Sequence, residues 1–125
     1  MDTGQTLLLI GRILAGGGFL IVGLRNIRNH CPITGLMKFR YIPFPAFAAA
    51  FGIGMQIVFG LGLALGVYQT ICALGLAAFM IMATALAHSP FMGTPEERTA
   101  NVSACLVNSA MVGGLLALAA VGLPS

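Results

Sequence analysis

Arg12, Gln56 and Asn108 stand out in this sequence because each is set in a long apolar stretch. A charge at mid-membrane costs at least about 2.5–3.5 kcal/mol on insertion scales, so an arginine there should face a protein interior or snorkel outward. Each of the three sits on a row of small residues: Gly52-Gln56-Gly60, Cys105-Asn108-Ser109, and Arg12 with Ala15 and Gly16. A guanidinium is all donor, and two carboxamides offer the oxygens it needs. The apolar stretches contain no Asp or Glu to neutralise it. The trio reads in two ways. It is a buried polar cluster fixing which helix pairs with which, or a site for an anionic or carbonyl-bearing ligand.

A second polar set is centred on His88. Thr84 and His88 are four residues apart, one face of a helix, and Asn101 falls at comparable depth on the next helix. His88 can donate, accept or titrate near neutral pH, which suits an interfacial anchor, an acid–base group or a quinone-binding group. The three cysteines, Cys31, Cys72 and Cys105, show no CxxC spacing, and only two histidines accompany them. No metal site is therefore expected, and the cysteines read as small core residues. Phosphate-binding glycine loops, HExxH, haem-attachment and dinucleotide fingerprints are all missing, so no covalently bound or soluble cofactor is indicated. No catalytic residue is assigned on these grounds. Asn101-Val102-Ser103 matches a glycosylation sequon but falls at the start of an apolar helix.

The elements that must position these groups are membrane spans. Hydrophobic residues are 58% of the 125 and charged residues 7%, against about 25% charged in ordinary soluble domains. No Asp, Glu, Lys or Arg occurs in the 55 residues between Arg40 and Glu96. About 20 apolar residues cross a bilayer. The pattern predicts an all-α fold, a single membrane domain of four spans near residues 5–24, 45–67, 69–88 and 95–120. A tight hairpin at residues 66–70 must divide the second from the third. Pro45 suits a first helical turn. Thr94-Pro95-Glu96-Glu97 reads as an N-cap, a first-turn proline and a capping-box glutamate. The N-terminus lacks the basic region of a cleaved leader, so the first span is expected to stay in the mature protein.

Charge sets an orientation. Arg25, Arg28, Lys38 and Arg40 lie between the first two spans and Arg98 lies before the fourth. The positive-inside rule makes that side cytoplasmic and both termini extracytoplasmic, with the lipid bilayer as solvent and nucleic acid excluded as a partner. Measured from the cytoplasmic ends of their spans, Arg12 falls at about 18 Å, Gln56 at about 16 Å and Asn108 at about 11–15 Å, a shared level. The segment 31–44 alternates large apolar residues with Lys38 and Arg40. It is expected to lie in the membrane interface as an anchor or a lid, with Gly35 and nearby prolines opposing a long regular helix. The 17 glycines, including Gly11-x-x-x-Ala15, Gly16-Gly17-Gly18 and Gly62-x-x-x-Gly66, predict close helix packing within the chain or in a homo-oligomer.

This pattern resembles the DoxX family of small four-helix membrane proteins. The matching stretches are Leu9-Ile10-Gly11-Arg12-Ile13-Leu14, Phe19-Leu20-Ile21-Val22-Gly23-Leu24, Pro43-Phe44-Pro45 and Gly60-Leu61-Gly62-Leu63-Ala64-Leu65-Gly66. Phe79-Met80-Ile81-Met82-Ala83-Thr84-Ala85-Leu86-Ala87-His88 is similar to the family's third helix and its terminal histidine. Asn101 and Gly113-Gly114-Leu115-Leu116 are similar to its fourth. The resemblance implies association with membrane redox systems, including a subunit of a thiosulfate:quinone oxidoreductase, in a bacterial inner membrane. It places Arg12 and His88 on recurrent polar positions. The family often has Glu where this chain has Gln56, and a carboxamide does not titrate, which puts proton transfer there in doubt.

Three functions follow as expectations. The first is a non-catalytic subunit of a membrane oxidoreductase, packed on larger subunits and helping to form a quinone site, with quinone or lipid bound. The second is a binding or transport module for a small amphipathic molecule, floored by Arg12, Gln56 and Asn108. The third is a small redox enzyme with His88 as acid–base and Cys72 or Cys105 as thiol.

Overall fold

The computed structural model describes residues 1–87 and 93–124. Among these the chain is helical without strands: α1 (Thr3–Arg28), α2 (His30–Phe39), α3 (Pro45–Leu65), α4 (Gln69–Ala87) and α5 (Pro95–Val121). Four of the helices, α1, α3, α4 and α5, are long and apolar enough to cross a membrane. α3 and α4 are each roughly 30 Å long, the thickness of the hydrocarbon layer, and α1 and α5 are longer at roughly 40 Å. The protein is an integral membrane protein of four spans.

Local chemistry fixes the ends of these helices. Asp2 and Gln5 close a capping box on α1, which therefore begins two residues before the predicted span. Thr94 and Glu97 close the expected box on α5, each side chain accepting from the other residue's backbone N–H at 3.2 Å. α3 ends in a Schellman motif, where Gly66 takes a left-handed φ of 78°. There the Val67 N–H donates to the Gly62 carbonyl at 2.8 Å and the Gly66 N–H to Leu63 at 3.1 Å. α2 ends the same way with Tyr41 in the left-handed position, the Ile42 N–H reaching the Met37 carbonyl and the Tyr41 N–H that of Lys38. The segment after α1 thus forms a short helix of ten residues. Pro32 lies in its first turn, where the missing N–H is harmless, and Pro43 comes after its end.

Packing is tightest where α1 crosses α3. A Cβ on Gly16 would lie 2.5 Å from the Gly60 carbonyl oxygen, and one on Gly60 would lie 2.8 Å from that of Gly16. Only two glycines face to face allow the backbones this close. The crossing also sets the register. Gly23 lies against Gln56 and Ile57, while the Arg12 side chain reaches Gly66. α1 is therefore displaced along α3, its first turns running past the α3–α4 hairpin and its last turn ending partway down α3. α2 occupies the space beyond that end, packing mainly on α3. By contrast a Cβ on Gly11, Gly17 or Gly18 would meet nothing, so of the predicted Gly11–Ala15 pair only Ala15 packs on the core.

The spans form an open row in the order α1, α3, α4, α5, in which α1 and α5 scarcely touch. The core lies in the hairpin half. Leu63, Leu76 and Leu115 are fully buried there, joined by Phe19, Cys72, Ala73, Ala77 and Ala119. Gln69 donates to the Leu118 carbonyl at 2.8 Å, which also accepts from the Gly122 N–H, and Thr70 donates at 2.7 Å to that of Ala119, which the end of α5 would leave unpaired. The other half, toward α2, is packed less closely.

Candidate binding cavity

That looser half forms a half-open cavity of about 620 Å³, within the range of sites that hold small molecules. Its walls come from α3 and α4, with Asn26 of α1 and Asn108 of α5 at its sides and Ile33, Leu36 and Met37 of α2 across it. Most of the lining is apolar. Met37, Met55, Met80 and Met82 contribute flexible thioethers that can adapt to the outline of a guest.

Two hydrogen-bonded pairs interrupt this apolar wall. Asn26 Nδ2 donates to Gln56 Oε1 at 3.0 Å, joining α1 to α3. Asn108 Nδ2 donates to Thr84 Oγ1 at 2.9 Å, joining α5 to α4. Gln56 is only 5% exposed and is the buried polar residue among those described. Each bond uses one acceptor, so the Gln56 amide nitrogen and the Thr84 hydroxyl hydrogen remain as donors on the cavity wall. Among the described residues no charged or titratable side chain lines the cavity. Its chemistry is neutral donation and acceptance on a mostly apolar wall.

The polar residues singled out in the sequence are redistributed. Gln56, Thr84 and Asn108 all line the cavity, so Thr84 joins the Gln56 level rather than a separate one with Asn101. Arg12 does not join them. Its guanidinium lies against Gly66, about 15 Å along α3 from Gln56. The shared depth expected for Arg12, Gln56 and Asn108 assumed that the first two spans end in one plane. The glycine crossing displaces α1 instead, and Asn26 rather than Arg12 stands beside Gln56. Asn101 lies about two turns before Asn108 on α5, outside the cavity wall. His88 lies outside the described residues. No three His, Cys, Asp or Glu side chains among the described residues are grouped to hold a metal.

Asn26 is a cavity residue that the sequence pattern does not reveal, because it sits between Arg25 and Arg28, beyond the apolar run of the first span. Those two arginines occupy the last turn of α1, where cations favour the negative end of the helix dipole. Extending the helix through them would have placed Asn26 three residues after Gly23, on the face that meets α3.

The fold and the cavity define a class: a small polytopic membrane protein with an uncharged, mostly apolar cavity between its helices. The sequence model of the DoxX family matches residues 7–89, more than half of the chain, and the protein belongs to that family. No curated protein and no solved structure shows significant similarity to it.

Proposed function

We propose that this DoxX-family protein is a membrane subunit of a quinone-linked oxidoreductase system, and that its cavity holds the headgroup of a lipid-soluble quinone. The observation that carries the reading is the pair of amide-centred hydrogen bonds set in an otherwise apolar cavity. A neutral carbonyl-bearing ring fits that donor set, because the Gln56 amide and the Thr84 hydroxyl can each donate to a carbonyl oxygen while methionines surround the ring. A charged ligand would lose its hydration without gaining a counter-charge there. When bound, the quinone would supply the electron-carrying group. The residues of this chain bind it, orient it and keep water away, while Gln56 holds a carbonyl without offering it a proton.

A second reading is a carrier or binding module for another small amphipathic molecule, and the same cavity favours it because one chain supplies all the described walls. Two measurements separate the readings. Equilibrium binding of a short-chain ubiquinone to the protein in nanodiscs should be saturable, and about fivefold weaker in Gln56→Leu and in Thr84→Val, the worth of one hydrogen bond. Co-purification with larger redox subunits in mild detergent supports the subunit reading, whereas tight binding by a lone chain supports the carrier. Absence of saturable quinone binding sinks the quinone assignment.

A further inference from the structure

Arg12, placed away from the cavity by the register of α1, has an environment of its own. Its guanidinium lies against the Schellman turn that ends α3, so close that a Cβ on Gly66 would be 2.8 Å from one Nη atom and 3.0 Å from Cζ. The Arg12 Nε is buried without a hydrogen-bond partner. The nearby end of α3 is the negative pole of its dipole, which offsets only part of a full charge. Two of its last carbonyls are already used by the turn, Gly62 by the Val67 N–H and Leu63 by the Gly66 N–H. The acidic side chains lie elsewhere. Asp2 is engaged in the cap of α1, and Glu96 and Glu97 are in the first turn of α5, at the far end of the bundle.

The depth of this group is also defined. α3 and α4 match the hydrocarbon thickness, so the turn between them lies at a membrane surface, where lipid phosphates are. Tyr68 in that turn is 75% exposed, as suits an aromatic side chain at the headgroup level. Here a guanidinium has donors, low hydration and no carboxylate side chain beside it among the described residues. That combination favours a phosphate oxygen pair, which its fork can meet with two parallel bonds.

We infer that Arg12 and the α3–α4 turn form a phosphate-binding site at the membrane surface, separate from the cavity, for the phosphodiester of an anionic lipid headgroup or for free phosphate. Gly66 is part of the site because its missing side chain lets the guanidinium rest on the turn.

The test uses the full chain in nanodiscs of phosphatidylcholine with and without phosphatidylglycerol. Native mass spectrometry then reads the lipid retained after transfer to detergent. The wild type should retain phosphatidylglycerol in preference to phosphatidylcholine. Arg12→Gln should lower that retention about tenfold. Arg28→Gln, at the other end of α1, should leave it unchanged, and Arg12→Lys should restore part of it through charge without the fork. Inorganic phosphate titrated into the wild type distinguishes the sources: displacement of the lipid shows a site open to free anion, and failure to displace it shows a headgroup site. Equal retention of the two lipids by the wild type overturns the inference, whether or not any variant folds. Undiminished retention by a folded Arg12→Gln overturns it as well.

Discussion

At the scale of single residues, this protein uses polar side chains sparingly, and those on the cavity wall join neighbouring helices. Gln56 is engaged by Asn26 and Thr84 by Asn108, so each amide both joins two helices and faces the cavity. Interhelical hydrogen bonds in membranes average about 0.6 kcal/mol. Gln56→Leu should therefore cost little stability in a denaturant titration while weakening a carbonyl ligand about fivefold. A loss of folding equal to the loss of binding would make the pair purely structural. Gly66 presents the opposite case, a residue without a side chain whose backbone carries the constraint. Its φ of 78° and the adjacent guanidinium mean that Gly66→Ala should destabilise the protein by more than about 1 kcal/mol. Combining it with Arg12→Met should recover the part due to the collision and leave the part due to the left-handed backbone. Full recovery in the double variant would show that the conformation itself is harmless.

At the scale of elements, the α1–α3 crossing governs where everything else falls. Gly60→Val should separate α1 from α3, costing about 1–3 kcal/mol as an overpacked contact does, whereas Gly11→Val, which meets open space, should be nearly silent. Equal effects of the two would contradict the crossing. The existence of the spans was legible in the sequence, since long uncharged runs and the Thr94–Glu97 capping box are local signals. So were Gln56, Thr84 and Asn108 as candidate site residues. Their grouping was not legible, because depth along a helix depends on register. Register here is decided by Gly16 fitting onto Gly60, a contact between residues far apart in the chain. The same blindness hides Asn26, whose basic neighbours suggest a loop although they lie in the last turn of α1. The proline and glycine signals at 31–44 oppose a long helix, and α2 is short, with Pro32 in a first turn where it is tolerated.

At the scale of the whole molecule, the division into a packed hairpin half and a hollow half toward α2 assigns separate tasks. Leu63, Leu76 and Leu115 hold the helices together at one end, so the other end can remain open enough to accept a guest. The described lining of the cavity has no titratable group, so quinone affinity should be flat between about pH 5 and 8. A transition near the histidine range would bring His88 into the site. Filling the cavity should abolish binding without harming assembly, and Ala83→Phe, on the cavity wall, is a suitable occluding variant. The proposal that the cavity holds a neutral quinone headgroup is tested most directly by photo-crosslinking with an azido-quinone in nanodiscs, followed by peptide mapping. The expected result is labelling of the cavity-lining stretches of α2, α3 and α4, competed by unmodified quinone and lost in Ala83→Phe. Labelling confined to the lipid-facing surface, or unchanged in that variant, would contradict the proposal.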